Sequence, residues 1–435
     1  MKKIELPYGD RIQTAELPDD IEIQYVEPFS AKAEEPLEVL LERAMENPYG
    51  SLKLEEIAKA DDTVVIVVND QTRPGPNDII IAAIMKRLEK AGIKDEQVTV
   101  LFATGSHRDP TEEERKKIMG EEYYRRLRNV SHNCRDDEAM VYVGETASGL
   151  PVYVNRLVTE CSLLITTGLI APHHVAGFSG GRKSIVPGVA GLKTLHIHHS
   201  FPIYQYEPAM GYIYGNPFHE AALEAAKIAK VRFIVNAVQD PHKNFFEFVA
   251  GDLEEAHAAG VELCKKVTEV RIPKYGDVII ASPGGFPRDI DLYQSQKALS
   301  VAEVIGAPNC TYIAVAECRD GFGEENFHRY MVETESVQRI IDRFAEEGFQ
   351  IGNNKAFNFA RALKKGRVII VTDKIAKGDL EEAKLEGAST LQEAVDMSLA
   401  GKKAKVVTVI KTAANIVPIV EESCPVAEQT KNERK

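Results

Sequence analysis

Short runs of β-branched and aliphatic residues alternate along this chain with longer stretches in which apolar positions recur every three or four residues. Continuous short apolar runs are typical of strands buried in a parallel sheet, and the wider spacing is typical of amphipathic helices. The alternation of the two predicts an α/β fold. The predicted parallel strands are Thr63–Val68, Gln97–Ala103, Ser162–Thr167, Val231–Asn236, Asp277–Ser282, Thr311–Val315, Arg367–Thr372 and Lys405–Ile410.

Local signals mark several helices and one hairpin between these strands. The amphipathic pattern predicts helices over Asn77–Ala91 and Thr111–Met119, and Thr111 with Glu114 matches a capping box at the second start. The segments Met140–Gly144 and Val152–Asn155 flank a Gly-Leu-Pro turn. We predict that they form a β-hairpin inserted between the second and third parallel strands.

The length of 435 residues indicates two domains. Pro273 and Gly276 interrupt the chain after a predicted helix at Asp252–Lys266, and a new strand follows. We therefore place an N-terminal α/β domain at residues 1–272 and a C-terminal α/β domain at 273–435, and expect the last residues to pack back on the first domain. The expected architecture is two Rossmann-like domains with mostly parallel sheets and an active site in the cleft between them.

The composition and net charge of the chain limit which kinds of partner we expect it to bind. The formal net charge is −13, which argues against nucleic-acid binding because that relies on clustered Lys and Arg. No apolar stretch approaches the roughly 20 residues that span a bilayer, and the N-terminal residues lack the apolar core of a signal peptide. We expect a cytoplasmic protein without nucleic-acid or membrane partners. Any site for an anion must then be built from local cations.

Candidate chemistry follows the ends of the predicted strands, where open α/β sheets bind ligands. After Thr63–Val68 come Asp70 and Arg73, and Arg73 could grip a carboxylate, although a simple loop ion pair with Asp70 is an equal alternative. After Gln97–Ala103 comes His107, which suits proton transfer near neutral pH. A solvated surface histidine is the competing interpretation.

The densest segment runs from residue 168 to 200 and holds five of the eleven histidines. Its glycines would let the backbone approach a ligand closely, and Arg182 and Lys183 lie among them, so we predict a site for a large anionic ligand. The stretch from Gly177 to Ser184 comes within one residue of a P-loop, but Arg182 replaces the glycine before the lysine. A P-loop-like phosphotransferase is therefore a weaker alternative.

Two further groups complete the candidate site. His196, His198 and His199 are candidate ligands for a divalent metal, and no complete zinc pattern accompanies them, so the other ligands would have to come from a cofactor. After Asp277–Ser282, a predicted helix carries Tyr293, Gln294 and Lys297. Gln294 and Lys297 are three residues apart and share a helix face, which lets them meet one ligand unless that face is merely solvated.

Together these residues resemble the lactate racemase family, the nickel-pincer nucleotide-dependent racemases and epimerases of 2-hydroxy acids. The resemblance lies in the Asp70–Arg73 loop, in His107, in the stretch His173-x-x-Ala-Gly-Phe-Ser-Gly-Gly-Arg-Lys183, in His199, and in Tyr293-Gln294-x-x-Lys297. The segments come in the family's order and at similar spacing, and they span both predicted domains.

The resemblance implies an isomerase that works by reversible hydride transfer to a cofactor. That cofactor is a nickel-bearing pyridinium-3-thioamide-5-thiocarboxylic acid mononucleotide, which a lysine can bind covalently. The matching lysine is Lys183, and the histidine that ligates nickel falls on His199, with His198 as the neighbouring alternative. The cofactor's phosphate would lie at the glycine-rich backbone, and the predicted cofactor-binding residues are Asp70, Gly177, Ser179, Gly180, Gly181 and Lys183.

The resemblance also assigns roles on the substrate side. His107 and His173 would be the two acid/bases for the substrate hydroxyl, one for each enantiomer. Arg73 and Lys297 would hold the substrate carboxylate, with Tyr293 and Gln294 shaping the pocket and Asp70 orienting the cation of Arg73. His174 has no assigned role.

The expected partners are a small 2-hydroxy acid and the enzymes that make the cofactor. Lactate is the first candidate substrate, and malate, a longer or aromatic 2-hydroxy acid, or a sugar acid are alternatives. A non-enzymatic metal or nucleotide carrier is disfavoured, because it would need neither His107 nor Lys297.

Overall fold

The computed structural model describes residues 1–401, 404–413 and 415–422, and every structural statement below refers to them. The strands in chain order are β1 Lys2–Tyr8, β2 Arg11–Leu17, β3 Glu22–Tyr25, β4 Val64–Asn69, β5 Val98–Ala103, β6 Arg128–Ser131, β7 Met140–Glu145, β8 Pro151–Asn155, β9 Leu163–Ile170, β10 Pro172–His173, β11 Gly177–Phe178, β12 Phe233–Gln239, β13 Phe245–Gly251, β14 Glu269–Ile272, β15 Gly276–Ala281, β16 Gly306–Val315, β17 Arg367–Val371, β18 Glu386–Ala388, β19 Val406–Ile410 and β20 Val417–Val420.

Helices connect most of these strands. They are α1 Leu37–Glu46, α2 Leu54–Ile57, α3 Asn77–Lys90, α4 Glu112–Met119, α5 Glu121–Arg126, α6 Arg156–Glu160, α7 Leu192–His198, α8 Pro217–Ile228, α9 Glu255–Thr268, α10 Leu292–Ile305, α11 Glu325–Glu333, α12 Val337–Glu347, α13 Asn353–Lys365, α14 Lys377–Glu382 and α15 Leu391–Leu399, with short 3₁₀ turns at Asp95–Gln97, Asp137–Ala139 and Gly181–Ser184.

The chain forms two compact units. The first consists of Met1–Phe29, Tyr206–Pro208 and the chain from Glu269 onward, and the second consists of Ser30–Gln205 and Ala209–Thr268. The predicted N-terminal domain began at residue 1, whereas the structure places Met1–Phe29 with the C-terminal part. The physical reason is strand pairing, because β3 lies parallel to β19. The predicted packing of the last residues falls on 423–435, outside the described residues.

The second unit is built on a six-stranded sheet in the order β13-β12-β9-β4-β5-β6, in which only β13 is antiparallel to its neighbour. Residues Val64, Ile66 and Val68 of β4 belong to the core on one face, and Val65 and Val67 belong to the core on the other. Both faces are covered, which explains why the strand is apolar at every position from Val64 to Val68. The strand order reverses between β4 and β9, where open α/β sheets bind ligands.

The first unit has its own six-stranded sheet, β18-β17-β16-β15-β19-β3, and all neighbours in it are parallel. The order reverses between β15 and β19. The hairpin of β1 and β2 packs against this sheet, since Ile4 and Leu17 share one buried cluster with Val278. The strands β14 and β20 form a separate parallel pair.

The structure confirms all eight predicted strands within a few residues, and it confirms the hairpin, formed by β7 and β8. Thr111 caps α4 in the predicted capping box with Glu114. The α/β class and the mostly parallel sheets are likewise confirmed. Among the described helices, none combines the length and the apolar character needed to cross a membrane.

Candidate functional site

The carboxyl ends of three adjacent parallel strands lead into four of the predicted residues of the second unit. Strand β4 leads into Asp70 and Arg73, β5 leads into His107, and β9 leads into His173. Because β4 lies between β9 and β5, Arg73 follows the strand that separates the two histidine-bearing strands.

Asp70 and His107 form a hydrogen-bonded pair. Nδ1 of His107 lies 2.7 Å from Oδ2 of Asp70. The other carboxylate oxygen of Asp70 accepts the hydroxyl of Thr72 at 2.6 Å and its backbone N–H at 3.1 Å. Asp70 is 2% exposed, whereas the His107 side chain is 51% exposed. The carboxylate of Asp70, which was predicted to orient Arg73, bonds to His107, and its charge also acts on Arg73.

His173 lies in a positively charged environment. Backbone N–H groups of Val175 and Ala176 donate to its Nδ1 at 3.2 and 3.1 Å. Removal from water, followed by the charges of Lys183, His174, Arg73 and Arg182, lowers the pKa of His173 well below its usual value. The ring is therefore neutral at neutral pH. The ring of His174, which had no predicted role, stacks on His173 with centroids 4.8 Å apart.

The amine of Lys183 loses its proton more readily than that of an exposed lysine. The residue is partly buried, with Nζ 5.4 Å from the centre of the Phe218 ring. Burial, together with the positive charges of Arg73 and Arg182, lowers the pKa of Lys183 well below its usual value. A neutral amine is the nucleophilic form of lysine. This residue can thus form a covalent bond to an electrophilic group.

The loop that presents Lys183 is built around the side chain of Arg182, which is 1% exposed. The guanidinium donates to the backbone carbonyls of Ala176, Phe178 and Gly180 at 2.8–3.1 Å, and it lies 2.9 Å from Nε2 of His257. The pKa of Arg182 is lowered to about 9 by burial. The side chain of Arg182 therefore fixes the conformation of the loop through hydrogen bonds to its backbone.

The glycines of this loop face the protein. Gly177, Ser179, Gly180 and Gly181 are all buried. Gly180 has a φ of +81°, and a Cβ atom there would lie 2.4 Å from Oδ1 of Asn236, so only glycine fits. The Ser179 hydroxyl donates to the carbonyl of Leu169 at 2.6 Å. The segment continues into a 3₁₀ turn, unlike the strand, loop and helix of a P-loop.

The two candidate metal ligands, His198 and His199, lie in different surroundings. His198 is fully buried, its Nε2 lies 2.9 Å from the carbonyl oxygen of Phe218, and the two rings are in contact. His199 is partly buried, and its Nδ1 lies 3.0 Å from the carbonyl oxygen of Leu195. That bond is typical of metal-binding imidazoles, because it directs Nε2 to the metal. Burial, with the charge of Lys183, lowers the pKa of His199 to about 3, which keeps the ring neutral as a ligand must be.

The first unit holds the other predicted residues at the start of α10, which follows β15. Asp291 caps this helix by accepting the backbone N–H of Gln294 at 2.6 Å. Nζ of Lys297 donates to Oε1 of Gln294 at 2.9 Å, so the two side chains share a helix face as predicted. Tyr293 has the buried amine of Lys355 5.8 Å from its ring centre. Burial, with the charge of Lys297, lowers the pKa of Lys355 to about 7.

Within the described ranges, no three His, Cys, Asp or Glu side chains are grouped so that they could hold a metal ion by themselves. The second unit carries two imidazoles and a guanidinium after adjacent strands, and an amine with a lowered pKa. Such a set on a doubly wound α/β sheet defines an enzyme that acts on a small anionic molecule.

Comparison with known proteins identifies the family. The family model of the lactate racemase N-terminal domain matches residues 8–211, and that of the lactate racemase C-terminal domain matches residues 272–417. The lactate racemase of Lactiplantibacillus plantarum is 34% identical over 429 residues, covering 96% of this chain and 100% of that protein. That of Thermoanaerobacterium thermosaccharolyticum is 35% identical over 380 residues, covering 86% and 88%. The chain belongs to the lactate racemase family and is an enzyme of the isomerase class.

Solved structures agree. The lactate racemase apoprotein from Thermoanaerobacterium thermosaccharolyticum matches with a TM-score of 0.85 and 31% identity, over 96% of this chain and 100% of that chain. A protein from Thermotoga maritima matches with a TM-score of 0.59 at 16% identity, over 85% and 96%, which bears on the fold alone.

Sequence reasoning missed three side chains of these sites. Thr72 completes the Asp70 pair, and its position two residues after an aspartate at a strand end is a known turn signal. Phe218 contacts both Lys183 and His198, and nothing in its sequence context marks it. Lys355 lies on a helix with several other lysines and could not be singled out.

Proposed function

We propose that this protein is a racemase of a small 2-hydroxy acid, with lactate as the first substrate. The observation that carries the proposal is the placement of His107 and His173 after the two strands that flank β4, with Arg73 following β4 itself. A 2-hydroxy acid is racemised through a planar 2-oxo acid, and this needs a carboxylate anchor and groups that handle the hydroxyl on either side.

We further propose a nickel-pincer pyridinium mononucleotide as the cofactor. When bound, it supplies the acceptor for the hydride at the substrate's Cα. Lys183 would hold it covalently, and the lowered pKa of this amine supports that role. His199 would bind the nickel, supported by its neutral ring and its bond to the carbonyl of Leu195. The other nickel ligands would come from the cofactor.

The remaining residues act on the substrate. Arg73 would pair with its carboxylate, because a guanidinium forms two parallel bonds with such a group. Tyr293, Gln294 and Lys297 are proposed as further substrate-binding residues, supported by the bond between Lys297 and Gln294. The loop from Gly177 to Gly181 is proposed to serve the cofactor by positioning Lys183.

We also propose a cytoplasmic location, where the enzymes that make the cofactor would meet this chain. Among the described residues, Cys134, Cys161, Cys264, Cys310 and Cys318 are free thiols. Reducing compartments keep thiols in that state, which supports the proposal.

The test is to produce the chain together with the cofactor-synthesis enzymes and to analyse metal content, intact mass and activity on the same sample. We expect about one nickel per chain, an added mass that is absent from Lys183→Ala, and interconversion of D- and L-lactate without added nicotinamide dinucleotide. Malate, an aromatic 2-hydroxy acid and a sugar acid are assayed beside lactate to define the substrate. Zinc alone, or no interconversion of any 2-hydroxy acid, contradicts the proposal.

A further inference from the structure

Asp70 determines which nitrogen of His107 carries the proton. Its Oδ2 lies 2.7 Å from Nδ1, and a carboxylate oxygen only accepts. Its Oδ1 is held by the hydroxyl and the backbone N–H of Thr72, and the side chain is buried, so the carboxylate cannot turn away. The neutral ring of His107 therefore carries its proton on Nδ1 and presents the lone pair of Nε2.

The hydrogen bonds of His173 favour the opposite tautomer. Both hydrogen bonds to its Nδ1 come from backbone N–H groups, those of Val175 and Ala176. An N–H group only donates, so Nδ1 must supply a lone pair to them. The neutral ring of His173 then carries its proton on Nε2. Protonation of Nδ1 would place a third N–H against these two donors.

We propose that the two histidines rest in opposite tautomers and so meet the substrate oxygen differently: His107 offers it an acceptor and His173 offers it a donor. Asp70, together with Thr72, is the positioning group for the first ring, and the two amides that follow His173 are the positioning groups for the second. The sequence had indicated two equivalent acid/bases.

The difference has a consequence for the proposed reaction, and this part rests on the proposed function. A hydroxyl group both donates and accepts, whereas a ketone oxygen only accepts. The hydroxyl proton can pass to Nε2 of His107 as the Cα hydrogen leaves as hydride to the acceptor of the proposed function: the O–H and C–H bonds break, the O–H electron pair becomes the second C–O bond, and the imidazolium formed lies against Asp70. When the hydride returns to the other face, this imidazolium gives its proton back to the oxygen, and both rings regain their resting tautomers. The neutral ring of His173 instead donates to the ketone oxygen, as neutral imidazoles do elsewhere when they polarise a carbonyl.

The tautomers are measured on the apoprotein, so the result depends on neither the cofactor nor the activity. Protein labelled with ¹⁵N at histidine is studied by long-range ¹H–¹⁵N correlation at a pH about two units above the ordinary histidine pKa of about 6.5. His107→Gln and His173→Gln identify the two rings by the loss of their signals. We expect protonated Nδ1 for His107 and protonated Nε2 for His173. The same tautomer in both rings overturns the proposal.

The variant Asp70→Asn tests whether Asp70 sets the tautomer of His107. The amide oxygen of the substituted side chain should keep the donors of Thr72, which leaves its NH₂ group facing His107 and forces the proton of that ring to Nε2. His173 should not change. The matched control is Asp109→Asn, because Asp109 is near His107 in sequence but pairs with Arg115. In this variant both rings should keep their wild-type tautomers. An unchanged His107 in Asp70→Asn contradicts the assignment.

Activity of the loaded enzyme separates this proposal from the proposed function. Loaded Asp70→Asn should lose roughly 10²-fold or more in kcat for lactate with little change in KM, because the lone pair that takes the proton is no longer available. If wild-type tautomers are opposite but loaded enzyme interconverts no 2-hydroxy acid, the tautomer assignment is supported and the proposed function fails. If the enzyme racemises lactate but both rings have the same tautomer, the proposed function is supported and the tautomer assignment fails.

Discussion

Replacement of Lys355 by methionine should stabilise the first unit in a pH-dependent way. Lys355 is 7% exposed, and the one hydrogen bond of its amine among the described residues is to Oε1 of Gln296 at 2.9 Å. Burial and the nearby charge of Lys297 lower its pKa to about 7, against about 10.4 in an unfolded chain. Methionine has a similar length and no charge, so it removes the titration and keeps most of the volume.

The lowered pKa sets both the sign and the size of the effect. Between pH 7 and about 10.4 the unfolded chain binds more protons at this site than the folded chain, so the free energy of unfolding of wild type rises with pH. Each unit of pKa corresponds to about 1.4 kcal/mol, and because the amine is still half protonated at pH 7, the gain from pH 7 to 9 is about 2 kcal/mol. The advantage of Lys355→Met over wild type should shrink by that amount.

Native-state amide exchange measures this within one unit of the chain. The exchange rates of buried amides in β16 and β17 are compared between wild type and variant at the same pH, so that intrinsic rates cancel. The ratio of rates should change by a factor of roughly 30 between pH 7 and 9. The loss of the hydrogen bond between Lys355 and Gln296 lowers the stability of the variant equally at pH 7 and pH 9, so it does not alter this change in the ratio. Lys364→Met, an exposed position on the same helix, should show no such change. A ratio for Lys355→Met that does not vary with pH would refute the reasoning.

Three other predictions concern the second unit. His107→Ala and His173→Ala should each keep bound nickel yet lose racemisation by roughly 10²–10⁴-fold in the loaded enzyme, and a wild-type rate in either rules out its role. His199→Ala should abolish nickel retention in metal analysis while the apoprotein keeps its circular dichroism, and full nickel content would shift the ligand assignment elsewhere. Arg182→Met should remove a donor from three buried carbonyls, of which those of Ala176 and Gly180 keep a backbone N–H. It should cost roughly 1–3 kcal/mol, seen as a lower urea midpoint, and an unchanged midpoint would show that the loop does not depend on Arg182.

Much of the fold could be predicted because its strands are buried on both faces. A strand such as β4 must be apolar wherever both of its faces are covered, here from Val64 to Val68, and this signal stands out from its polar flanks. The strand β3 gives a weaker signal, because it is four residues long and lies at the edge of its sheet with exposed positions. Its partner β19 is almost 400 residues away, and no local pattern reveals a pairing at that distance.

The candidate site was predicted unevenly for a related reason. The residue types at the strand ends point to chemistry by themselves, as with His107 and Lys183. Hydrogen-bond partners depend on rotamers and on loop geometry, which a linear pattern does not contain. The bond between Asp70 and His107 is one example, and the burial of Gly180 against Asn236 is another. Glycines in a row indicate close approach of some group, but they do not say whether that group is a ligand or the protein itself.

The grouping of Met1–Phe29 with the C-terminal residues bears on how the chain folds as it leaves the ribosome. The second unit is nearly continuous in sequence, so it can complete its sheet once residue 268 has emerged. The edge strand β3 is made among the first residues, but it has to wait for β19, one of the last strands to be synthesised. During that interval β3 has no partner strand, and the hairpin of β1 and β2 has no sheet to pack against, so these residues are exposed to chaperones and proteases. A nascent chain arrested after residue 268 should therefore hold a protected second unit and a protease-sensitive N-terminus.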